Sequence, residues 1–263
     1  MELKLDRKPW AVVLGASRGL GLASAKELAR LGHPLLLVHR DPRAELEEFN
    51  LAVDAIRNDG GEVYCFNKDA TREESIALLV SDFKQLLPEG EKIGVLLHSL
   101  AKGHVKPLAE GDQQLTATDL AITIEAMASS LLVWVQNLHA ADLFAEDTRV
   151  ISFTSEGSHK AWKHYAAVGA AKAALEALTR SIALEFAPYG IRANCIQAGV
   201  VDTESLRRIP NVEQILKFAA ARSPYNRITS PEDVAKVVGL LCQPEAGWIN
   251  GATIPVDGGA HIQ

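Results

Sequence analysis

Three side chains in this sequence have types and spacings suited to proton and charge chemistry: Ser155, Tyr165 and Lys172. A phenol titrates at about 10 in isolation and donates a proton poorly at neutral pH. A nearby ammonium favours the phenolate and brings it into a useful range. The step from Tyr165 to Lys172 is two helical turns, about 10.5 Å of rise, which leaves both on nearly one face. The hydroxyl of Ser155 can donate to the same reacting oxygen. A Tyr and a Lys so spaced also suit a packing residue and a snorkelling surface charge. Their force comes from their place, one strand after a nucleotide-binding half.

That half is carried by Gly15-Ala16-Ser17-Arg18-Gly19-Leu20-Gly21, between the apolar run Trp10–Leu14 and the helical pattern Leu22–Arg30. A strand, a glycine-rich turn and a helix together present free N–H groups to a phosphate at the helix's positive end. Gly15 permits the sharp turn, and Gly19 and Gly21 permit close approach. After the second strand comes His39-Arg40-Asp41. A cation there suits the 2′-phosphate of NADP, an acid the ribose hydroxyls of NAD. Arg40, with Arg18, favours NADPH; Asp41 keeps NADH as the alternative. Asp69 ends the third strand, where it can accept from the adenine amino group or cap the next helix.

The elements that position these residues follow from short apolar runs alternating with helical patterns. Strands are expected at 10–14, 35–38, 63–66, 93–97, 149–153, 191–196 and 253–256. Helices are expected at 22–30, 44–58, 72–87, 117–140 and 165–187. This alternation implies an α/β fold with a parallel sheet covered on both faces, right-handed crossovers and ligands at the carboxyl ends of the strands. No repeat or low-complexity linker divides residues 1–263, so one domain is the economical reading.

The 263 residues carry 27 basic and 33 acidic side chains, a net charge of −6. That balance gives no electrostatic reason to expect nucleic acid or an anionic membrane as a partner. Cys65, Cys195 and Cys242 match no metal or redox spacing and read as buried free thiols in a reducing cytoplasm. His159 and His164 have no third ligand at metal spacing, so a solvated loop and no metal site are expected. No signal peptide and no membrane-length apolar run are read.

Taken together, the glycine turn, Asp69, Ser155, Tyr165, Lys172, Ile191-Arg192-Ala193-Asn194 and Val256-Asp257-Gly258-Gly259 make nearly the whole chain resemble the short-chain dehydrogenases/reductases. The resemblance implies a single Rossmann-type doubly wound domain with a seven-stranded parallel sheet. The carbonyl-reducing majority of that family has Tyr-x3-Lys, whereas Gly169 stands four residues after Tyr165. The Tyr165-x6-Lys172 spacing and His98-Ser99-Leu100-Ala101 are similar to the enoyl-acyl carrier protein reductases, nearest the NADPH-dependent subtype found in Bacillus.

By that resemblance, Tyr165 is expected to hydrogen-bond the enolate oxygen of a 2-enoyl thioester, and Lys172 to hold the nicotinamide ribose. Ser155 occupies the place of a second Tyr in most such enzymes. Cofactor contacts are implied for Gly15, Ser17, Arg18, Gly19, Leu20 and Gly21, for Arg40, Asp69 and Ala70, and for Ser99, Leu100 and Ala101. Gly199, Val201 and Thr203 would meet its nicotinamide end. A lid over an acyl chain is implied at about 200–225; from the residues alone the amphipathic piece 212–220 is equally a surface helix completing the core. Arg207, Arg208 and Lys217 suit an acidic acyl carrier protein, and the apolar helices 117–140 and 165–187 suit a homotetramer. Two rivals stay open: a 3-oxoacyl or other carbonyl reductase, and an NADP-sensing regulator without turnover.

Overall fold

In the computed structural model, which describes residues 7–207 and 212–263, seven strands pair in one parallel sheet. They are β1 (Trp10–Leu14), β2 (Leu35–His39), β3 (Val63–Asn67), β4 (Ile93–His98), β5 (Phe144–Thr154), β6 (Ile191–Ala198) and β7 (Thr253–Val256). Their order in space is β3-β2-β1-β4-β5-β6-β7. The chain therefore winds outward in both directions from the gap between β1 and β4, and that switch point is where a doubly wound sheet opens a crevice.

The helices are α1 (Gly19–Arg30), α2 (Glu47–Asn58), α3 (Glu73–Leu86), α4 (Ala117–Ile124), α5 (Ser130–Ala140), α6 (Ala166–Glu185), α7 (Glu204–Arg207), α8 (Val212–Arg222) and α9 (Pro231–Leu241). Successive strand residues point to opposite faces, and two cores result. Val12, Leu14, Val38, Leu96 and Val150 face α3, α5 and α6, packing against Phe83, Trp134 and Ile182. Ala11, Val13, Leu37, Leu97 and Ile151 face α1, α2 and α9, packing against Leu28, Val53 and Val238. Both faces of the sheet are thus buried, which is why β1, β2 and β4 are buried throughout and apolar up to the histidines that end β2 and β4.

Four features differ from the sequence reading. β5 begins at Phe144, because polar Glu146 and Asp147 extend it along an exposed margin. The expected helix at 117–140 contains a π-turn, Glu125–Ser129, between α4 and α5. That 24-residue stretch is long and apolar enough to cross a bilayer by length and composition, contrary to the expectation of no such run; here Leu131, Trp134 and Leu138 are packed into the core. The three thiols are not all buried: Cys195 is, Cys242 is half-buried, and Cys65 is exposed because β3 is an edge strand.

Candidate active site

Because the strands are parallel, the segments that follow β1, β2, β3, β4, β5 and β6 gather on one edge of the sheet. The turn after β1 is built on backbone contact. A Cβ on Gly15, which has φ 80°, would collide with the Ser99 carbonyl beyond β4, and one on Gly21 would collide with the Gly15 carbonyl. The glycines thus bring turn, helix and β4 end together, with Ser17 and Leu20 on the turn. α1 starts with no side-chain cap and no acid in its first turn. α4 and α9, by contrast, carry full capping boxes from Thr116/Asp119 and Ser230/Asp233. A start of this kind leaves N–H donors for an anion, so this edge fits a dinucleotide's pyrophosphate.

Charge is concentrated beyond β2. Arg18 bonds Asp41 at 2.5 Å and Glu45 at 3.0 Å. Asp41 also lies 3.0 Å from His39 Nδ1. Burial opposes ionisation of Asp41, yet hydrogen bonds from Ser17, His39 and Arg18 hold its carboxyl below the usual range. Arg40 donates to Asp69 Oδ2 at 2.5 Å, and Lys102 stands 3.8 Å from the same atom. The Thr71 N–H and hydroxyl donate to Asp69 Oδ1 at 2.9 and 2.6 Å. Asp69 therefore shapes the turn after β3. The next carbonyl, that of Ala70, accepts from Trp134 Nε1 at 2.9 Å.

The residues expected to handle protons lie beyond β5. Ser155 Oγ and Tyr165 Oη are 3.5 Å apart. Tyr165 enters α6 from a tight turn, its N–H donating to the Trp162 carbonyl at 3.2 Å. The preceding His164 is left-handed at φ 65°, a conformation that costs a non-glycine residue roughly 1 kcal/mol. The Tyr165 ring lies flush on Gly157, where a Cβ would collide with it.

Lys172 is almost fully buried, and its Nζ donates to the Phe153 carbonyl at 2.7 Å. The expectation that its ammonium lowers the Tyr165 phenol is corrected here. Two helical turns carry the amine toward β5, and burial raises the phenol, opposed only by the Ser155 bond. Burial thus favours the neutral phenol over the phenolate. Burial also lowers Lys172 to about 8, with Glu176 acting against the shift.

His98, at the end of β4, was read from sequence only as part of a resembling motif. It is buried, and its Nε2 lies 2.8 Å from Ser130 Oγ. That hydroxyl already donates to the Ala126 carbonyl at 2.9 Å, so His98 Nε2 carries the proton and Nδ1 is the lone-pair nitrogen. Nδ1 has no partner among the described residues. Burial and the Lys172 charge push His98 down to about 3, so it remains neutral.

On the open side, Val201 is buried and Thr203 places its methyl against Gly19. Arg207 is held by Asp202 at 2.8 and 2.7 Å; Arg208 lies outside the described residues. No side chain of α8 is fully buried, so it lies at the surface. Sequence reading missed Glu156, Gly157 and Arg222. The only signal for the first two was adjacency to Ser155; nothing local marked Arg222.

Comparison with known proteins shows the family of the chain. A family model described as enoyl-(acyl carrier protein) reductase matches residues 15–261. A 1-cyclohexenylcarbonyl-CoA reductase of Streptomyces collinus is 29% identical over 98% of this chain and 88% of its own. The NADPH enoyl-acyl-carrier-protein reductase of Staphylococcus aureus is 25% identical over 98% of each. Other relatives are named as tropinone and tetrahydroxynaphthalene reductases or their homologues. The crystal structure of an NADH enoyl-acyl-carrier-protein reductase from Aquifex aeolicus superposes with a TM-score of 0.84 at 23% identity, covering 98% of both chains, and so shares the fold.

Proposed function

Because this chain belongs to the enoyl-(acyl carrier protein) reductase family of the short-chain dehydrogenases/reductases, we propose that it reduces the 2,3 double bond of trans-2-enoyl thioesters. It is an oxidoreductase of a family that uses NAD(P)H. The finer reading rests on one observation: the Lys lies seven residues after Tyr165, and the position four after it is closed. A Cβ on Gly169 would stand 2.6 Å from the Gly157 carbonyl, so α6 offers no room there for the Lys of a carbonyl reductase.

The chain's own groups would act as follows. The α1 start and the glycine turn hold the pyrophosphate, and Lys172 holds the nicotinamide ribose. The bound cofactor supplies a hydride to C3 of the enoyl group. Negative charge then builds on the thioester oxygen, away from the carbon that is reduced. The Tyr165 hydroxyl donates to that oxygen, with Ser155 beside it as a second donor, and stabilises the enolate until its C2 takes a proton from water to complete the saturated thioester. NADPH is favoured over NADH because Arg40 is 59% exposed beside the adenosine end. The acid that would instead grip ribose hydroxyls, Asp41, already accepts from Arg18. The acyl group arrives on an acyl carrier protein, for which exposed Lys217 on α8 offers a cation. Ile122 and Leu184, apolar and exposed on α4 and α6, suit burial in a homotetramer.

One feature favours a second reading: Ser155 occupies the place of the carbonyl reductases' Ser, 3.5 Å from the phenol. A spectrophotometric assay separates the two. Loss of NADPH absorbance with crotonyl-CoA is the expected result. Oxidation only with a 3-oxoacyl thioester, or cofactor binding without oxidation, overturns the proposal.

A further inference from the structure

Arg222 is the last residue of α8, and Glu156 directly follows Ser155. They form a two-pronged ion pair, Nη1 to Oε2 at 2.9 Å and Nη2 to Oε1 at 2.7 Å. Arg222 Nη2 also donates to the Ala260 carbonyl near the carboxyl terminus at 2.5 Å. Lys160 Nζ donates to Glu156 Oε1 at 2.8 Å. The pair is largely withdrawn from water, the side chains being 16% and 14% exposed, so it is less solvated and less screened than a surface pair. The Arg222 guanidinium further covers the Phe218 ring, 5.9 Å from its centre. By contrast, no apolar side chain of α8 is buried. Three segments thus meet at one guanidinium: α8, the loop that follows Ser155 and the segment at Ala260.

We propose that Glu156 and Arg222 are positioning residues that clasp α8 to the segment after Ser155, so that the surface over the acyl tail is held in place. Neither touches the reacting atoms. The groups facing the clasp are Lys160, Asp257 and the Ala260 carbonyl. Arg222 and Lys160 hold the Glu156 carboxyl down at about 2, so the clasp remains shut across working pH and is not a pH switch. Its consequence for catalysis rests on the enoyl-thioester reading: a long acyl tail needs the covering helix in place, and a four-carbon tail does not.

The test uses the full chain with Glu156→Gln, Arg222→Met, the double variant and the milder Arg222→Lys. Hydrogen exchange at 212–222 should quicken by about tenfold or more in either single variant, with sheet amides unchanged and little further gain in the double. Arg222→Lys should fall between and guards against a variant that fails to fold. KM for dodecenoyl-CoA should rise by roughly tenfold while KM for crotonyl-CoA and both kcat values hold within about threefold. Unchanged exchange in both single variants, or additive effects in the double, overturns the clasp. Equal KM changes for both tails overturn its role in chain length. If no enoyl thioester is turned over by the parent protein, the function proposed above fails, and exchange alone decides the clasp.

Discussion

Gly169 and Gly157 touch backbone to side: a Cβ on Gly169 would lie 2.6 Å from the Gly157 carbonyl oxygen. Gly157 in turn underlies the Tyr165 ring. Two glycines therefore seat the phenol, one beneath it and one a turn further along α6. Gly169→Ala must push the Ser155 loop away, since a backbone carbonyl cannot swing aside like a flexible side chain. We expect a loss of about 1–3 kcal/mol in stability and a drop in kcat of about tenfold or more, read by thermal melting and by turnover of crotonyl-CoA. A variant with parental melting and turnover would show that the contact relaxes freely.

Removing the phenol hydroxyl leaves packing nearly intact. Tyr165→Phe should lower kcat for crotonyl-CoA by about 10²-fold or more, the effect of losing one donor to a developing oxyanion. KM for NADPH should hold within about twofold. Turnover near the parental rate would remove Tyr165 from the mechanism.

Lys172 gives a pH signature in two directions. Its folded value of about 8 lies below the 10.5 of an exposed lysine, because burial penalises the ammonium. Between those values the unfolded chain holds a proton that the folded chain has released, so stability rises with pH through that window. Below about 8 the full cost of the buried charge is present. Melting temperatures of the parent should therefore gain on those of Lys172→Met as pH climbs from 8 to 10.5. Activity runs the other way, kcat/KM falling above about 8 as the ammonium is lost. A flat profile to pH 10 would contradict the role of that charge.

Arg40 separates the two nicotinamides. Arg40→Ala should raise KM for NADPH by about tenfold, the loss of one charge-assisted hydrogen bond, while KM for NADH moves less than about threefold. Equal changes for both would assign Arg40 only to its ion pair with Asp69.

Much of this architecture was written in apolar runs. β1, β2 and β4 read as buried parallel strands because helices cover both their faces, and Gly15-x-x-x-Gly19-x-Gly21 marked the phosphate end. The proton-handling residues were legible by spacing, their surroundings were not. That Lys172 turns to the Phe153 carbonyl, that Asp41 and Asp69 answer Arg18 and Arg40, and that Arg222 reaches back 66 residues to Glu156 are long-range pairings that no local pattern encodes. The π-turn inside the helix at 117–140 was equally hidden, since every residue in Glu125-Ala-Met-Ala-Ser129 tolerates an ordinary helix.

All seven strands run the same way, so every loop that could meet a ligand emerges on a single rim while the two cores lie beneath it. Substrate choice can then be rewritten in those loops without disturbing what holds the sheet together. Relatives named for quite different molecules, with fewer than a third of their residues in common with this chain, are what such a division of labour leaves behind.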